Sequence, residues 1–148
     1  MGKTRTVKTT IATLLSEVVG TTKNIRKIYG YFESAPTEFP CVMVFLKGIS
    51  EDRLDFGNNQ VNANYQIKLC LPLGGSADRE EIENLRLDCI DDIMDRLRKS
   101  DAVETLGGDV FKTSFTAGEP YEELEAEFPM LVTDFLYETA RSEMIVSA

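Results

Sequence analysis

Histidine is absent from this chain. That removes the commonest general acid–base, the Ser-His and Cys-His nucleophile pairs, and the imidazole metal ligands. Cysteine is scarce: Cys41, Cys70 and Cys89 are odd in number and widely spaced, and each sits in an apolar pattern. No CxxC spacing suggests zinc, and a disulfide framework wants an even set in a secreted chain. We expect three buried free thiols. Long apolar runs are missing as well. The longest, Cys41 to Leu46, is strand-sized, far from the roughly 20 residues that cross a bilayer. The basic start (Lys3, Arg5) is followed by no apolar segment of the signal type, so we expect a soluble protein made in the cytoplasm. Neither Gly74-Gly75 nor Gly107-Gly108 has the partners that a phosphate-cradling loop needs.

What is present is acid. The 148 residues carry a net charge of −9, unevenly spread. Residues 1–30 hold six Lys/Arg and one acid, Glu17, whereas the rest holds ten bases and 24 acids. Such a body repels phosphate backbones, which argues against a general nucleic-acid binder. The hydrophobic fraction of 43% and charged fraction of 28% are ordinary for a globular domain. A chain of this length buries a proper core, so we expect one domain, 1–148. Residues 1–8 are expected as a flexible basic arm and 141–148 as a C-terminal tail.

Between these ends the periodicities alternate. Ile11, Leu14, Leu15, Val18 and Val19 form a helical stripe, with Thr9 or Thr10 to cap it and Gly20 to stop it. Ile25 to Phe32 reads as a strand. Pro40 opens a second, Cys41 to Lys47, apolar on both faces and therefore central. A charged loop from Gly48 to Asn58 follows, with Leu54 and Phe56 inside it. Val61, Ala63, Tyr65, Ile67, Leu69 and Leu71 then alternate with polar residues, which is one long strand. Asp78 and Glu81 stand at capping-box spacing before a helix whose stripe is Ile82, Leu85, Cys89, Ile93 and Leu97. Strands Val110 to Phe115 and Met130 to Thr139 flank an acidic connection, Glu119 to Glu127. The order α-β-β-β-α-β-β implies an α+β fold: a mostly antiparallel or mixed sheet of four to five strands flanked by two helices.

Candidate chemistry is thin. Asp88, Asp91, Asp92 and Asp95 could bridge a divalent cation, but a solvated helix face is the reading we favour. The five glutamates Glu119, Glu122, Glu123, Glu125 and Glu127 have nothing beside them in sequence to shift a pKa or seat a substrate. We expect no catalytic, cofactor-binding or metal-binding residues, and no enzyme. Leu54 and Phe56 can be local packing or anchors reaching into a neighbour; Asn62, Asn64 and Gln66 can face solvent or bond across a subunit boundary.

The layout as a whole resembles a known family. A short N-terminal helix leads to Tyr29-Gly30-Tyr31-Phe32; a Pro-led strand, Phe39-Pro40-Cys41-Val42-Met43-Val44, is followed by a charged loop. A long polar-alternating strand, Asn62 to Leu71, an acidic helix and a final strand pair complete it. Over roughly residues 9–140 this is similar to the tail terminator proteins of long-tailed bacteriophages. The resemblance implies a hexameric ring that caps the tail tube, stops its polymerisation and joins it to the head connector. Its partners would be itself, the tail tube protein and a neck protein, within the virion, and DNA would pass without specific binding. The residues that fit such a role are Leu54, Phe56, Asn62, Asn64 and Gln66 for the interface. Glu119, Glu122, Glu123, Glu125 and Glu127 would serve as a DNA-repelling lumen. Another neck or tail completion protein, or a non-viral oligomeric adaptor, would share this size and style.

Overall fold

The long alternating strand finds its place at the centre of one sheet. In the computed structural model, which describes residues 2–20, 22–55, 58–73, 78–99, 110–124 and 129–144, β1 spans Lys27–Tyr29, β2 Cys41–Asp55 and β3 Asn58–Pro72. After helix α2 come β4 (Val110–Ala117), β5 (Tyr121–Glu123) and β6 (Met130–Met144), and helix α1 (Lys3–Ser16) precedes them all. The sheet runs β1-β2-β3-β6-β4, with β5 also paired to β6. Among the described strands, only the β1–β2 pair is parallel. This is the expected α+β fold, with six strands because the acidic connection contributes the three-residue β5.

Both helices cover the same face. Alternation in β3 and β6 turns Ala63, Tyr65, Ile67, Leu69, Phe135 and Tyr137 to that side. There they form one core with Val7, Ile11, Leu14 and Leu15 of α1 and Cys89, Ile93 and Leu97 of α2 (Arg79–Lys99). The expected α2 stripe holds, although Leu85 and Ile90 are only half-buried against the core. Asp78 accepts from the backbone N–H of Glu81 (2.8 Å), the N-cap contact that the spacing implied.

Several expectations change. Residues 3–8 are not an arm: α1 starts at Lys3, and Val7 is fully buried. Val7 stands one turn before Ile11 and extends the same stripe. The threonines taken for caps lie inside the helix, Thr10 Oγ1 donating to the Thr6 carbonyl (2.8 Å) and Thr13 Oγ1 to that of Thr9 (2.9 Å). The expected strand from Ile25 shrinks to β1, with Ile25 bridging Val19 outside it. Most of the supposed loop at 48–58 is strand. Here β2 and β3 continue as a hairpin ribbon, its polar side chains tied across the strands: Asn59 to Glu51 (2.5 Å) and Asn62 to Asp52 (3.0 Å). Nor does a tail begin at 141, since β6 runs to Met144 and Arg141 is buried. Among the described residues, no helix is long and apolar enough to cross a membrane.

Candidate functional site

The face of the sheet away from the helices carries two zones. β3 turns Gln60, Asn62, Asn64, Gln66, Lys68 and Cys70 to this side. Across the register, β2 brings Ser50 opposite Asn62, Phe45 opposite Gln66, Met43 opposite Lys68 and Cys41 opposite Cys70. On the other flank β6 sets Glu138 opposite Asn64 and Asp134 opposite Lys68. The half of the face toward the β2–β3 turn is therefore polar, and the half toward β1 is apolar.

In the polar half, Ser50, Gln60, Asn62, Asn64, Ser114 and Glu138 line a shallow groove of about 250 Å³. Gln60 donates to the Asn62 side-chain oxygen (2.9 Å). Gln66 sits beside a smaller depression of about 200 Å³ with Lys47, Thr116 and Asp134. Asn62, Asn64 and Gln66, the strand residues expected at an interface, thus lie together on one open surface. Leu54 lies on β2, but its side chain falls outside the described residues, as does all of Phe56.

In the apolar half, Cys41, Met43, Cys70, Met130, Val132 and Tyr29 form a second, smaller buried cluster, with Phe45 packed against it. Phe32 sets its edge on Phe45 at 5.6 Å between ring centroids. The ammonium of Lys68 lies 5.2 Å above the Phe32 ring. Tyr31 and Phe32 nonetheless remain 56% and 55% exposed, and Leu124 63%. Large apolar side chains left this open beside a small cluster mark a surface that association can cover.

The acidic segment touches this zone. Glu119 is exposed, Glu122 pairs with Arg79 at the start of α2, and Glu123 lies 3.7 Å from the Lys68 ammonium. Two of the five glutamates expected as a repelling lumen are therefore partly neutralised within the chain. Glu125 and Glu127 lie outside the described residues. Sequence reasoning missed Lys68, only 9% exposed. A lone lysine on the polar face of a strand reads as solvated, and nothing local announces Phe32 and Glu123 as its neighbours.

The thiols have distinct environments. A hydrogen bond with Cys70, together with burial, pushes the Cys41 thiol far above its ordinary value. The same bond, aided by Lys68, lowers Cys70 against the effect of its burial. Burial and the nearby Asp92 and Asp88 raise Cys89 to about 12. All three are fully buried. A thiol-specific chromogenic disulfide reagent should therefore label none of the three in the native protein within minutes and all three after denaturation. Rapid native labelling of Cys41 or Cys70 would mean that the small apolar cluster opens readily.

Among the described residues, no group of three or more Cys, Asp or Glu stands where it could hold a metal ion. Asp88, Asp91 and Asp95 are exposed on α2, while Asp92 accepts from the Asn24 side-chain amide (3.0 Å). No protein-family model matches the chain, and no curated protein matches it in sequence.

Proposed function

We propose that this chain is a structural assembly subunit. It forms a closed ring, of six copies, that caps a phage tail tube, ends its growth and joins it to the head connector as a tail terminator does. It performs no catalysis. The observation that carries this reading is the half-covered sheet. Both helices pack on one face, whereas on the other, among the described residues, only a small cluster at the β1 end is covered, leaving a polar groove open in one half and Tyr31, Phe32 and Leu124 exposed in the other. A domain that leaves such a face open is completed by neighbours. The net acidity of the body suits a passage through which DNA moves without sticking.

Light scattering across a concentration series, with and without tail tube protein, tests it. The expected outcome is a closed ring of six, forming either in solution or only on the tube tip. A stable two-fold dimer with no larger species, even beside tube protein, would overturn the reading.

A further inference from the structure

We infer that neighbouring copies join edge to edge. The free edge of β2, residues 44–50, pairs with β4 of the next copy, so that one antiparallel sheet runs around the ring. This rests on the ring proposed above and names its interface.

The edges come first. β1 covers β2 only at Cys41, Val42 and Met43, and from Val44 onward no described strand lies on that side. At the other end of the sheet β4 pairs, among the described residues, with β6 alone. Unpaired backbone groups on a long edge are a template for another chain. On β2 that edge carries Leu46 and Ile49, 39% and 53% exposed. The charged run Glu51, Asp52 and Arg53 then confines the template to about the length of β4, since charges blunt an edge.

Strand direction allows the match. β2, β3, β6 and β4 are four strands, each antiparallel to the next, so β2 and β4 run in opposite directions. A copy generated by rotation about an axis along the strands keeps those directions. Its β4 therefore meets the first copy's β2 antiparallel, with the helices of both on the same side. Such a contact is heterologous and closes by rotation. The register shifts between Leu46 and Gly48 and between Val110 and Lys112 fall on these two edge strands. Bulges add the local twist and bend that a closing sheet requires.

The helices give the two edges different neighbours. α1 packs against β1 and β2. α2 lies toward the other edge: Arg86 bonds Thr133 of β6, while Met94 and Leu97 border Phe115 of β4. Each edge contact therefore joins unlike surfaces, as a head-to-tail arrangement requires.

Lysine placed on each edge of the full chain provides the test, with rings read by light scattering and native mass spectrometry at low salt, beside tube protein if the unaltered chain needs it. Ile49→Lys on β2 and Thr116→Lys on β4, both exposed positions, should each weaken association about tenfold or more, since charge blunts an edge, while circular dichroism and denaturant unfolding stay near those of the unaltered chain. Rings indifferent to both substitutions would overturn the edge interface while leaving the ring reading intact. No ring from the unaltered chain beside tube protein would remove both.

Discussion

Phe135→Ala should lower folding stability by about 3–5 kcal/mol, as large-to-small changes do where a ring is fully enclosed. Phe135 is 0% exposed on β6, the strand that joins β3 to β4 and β5. Its ring stacks on Phe115 with centroids 5.2 Å apart and an interplanar angle of 24°. By register it stands opposite Ile67 on one side and Ala117 on the other. Truncation therefore opens a void between the sheet and the helices, above strands that hydrogen bonding holds at fixed spacing, so the walls relax little. In urea unfolding followed by circular dichroism, the midpoint should fall with the slope unchanged, and Tm should drop by roughly 10 °C. A loss under about 1 kcal/mol would show that the site collapses around the smaller side chain, against the close packing described above.

Arg141→Ala should cost about 3 kcal/mol, whereas Arg141→Met should cost clearly less. Arg141 is 4% exposed, with Nε donating to Glu143 (3.0 Å) and Nη2 donating to Thr4 Oγ1 (2.9 Å). It ties the end of β6 to the first turn of α1, next to the hydrogen bond from the Tyr65 hydroxyl to the Thr4 carbonyl (2.8 Å). Alanine removes the ion pair and the packed stem together. Methionine keeps the apolar stem and removes the charge with its desolvation cost, and such exchanges are often close to neutral. Glu143 is partly exposed and can turn to water, which keeps the alanine penalty at the low end for a buried pair. Amide hydrogen exchange should show faster opening of the first turn of α1 in both variants, since both lose the bond to Thr4. Equal stability losses for Ala and Met would mean that the charge itself, rather than the stem, carries the effect.

Phe135 marks where sequence reasoning works, and Arg141, expected in a tail, marks where it does not. Phe135 lies in an alternating run, so its inward face is readable from its neighbours. The same holds for Val61 to Leu71 and for Cys89, Ile93 and Leu97, because side-chain direction follows the local period of two or 3.6. The charged ribbon at 48–55 broke that rule. Glu51, Asp52 and Arg53 look like loop, yet Asn59 and Asn62 on the partner strand supply cross-strand bonds that make them strand. In α1, threonine marks a helix start or an ordinary helical turn depending on whether a carbonyl four residues back is free to accept. Only the observed bonds distinguish the two.

The sequence by itself determined the α+β class, the order of the principal elements and most of the apolar face, since these follow from local periodicity and composition. It also determined that no histidine chemistry is possible and that the body is acidic. Tertiary structure alone decided that both helices share one face and that β6 sits beside β3. It also made Arg86, Arg141 and Lys68 buried residues rather than surface ones. The reason is physical. Register, layer placement and the satisfaction of a buried charge depend on partners distant in the chain, such as Arg86 with Thr133 or Arg141 with Thr4, and no local pattern encodes which partner arrives.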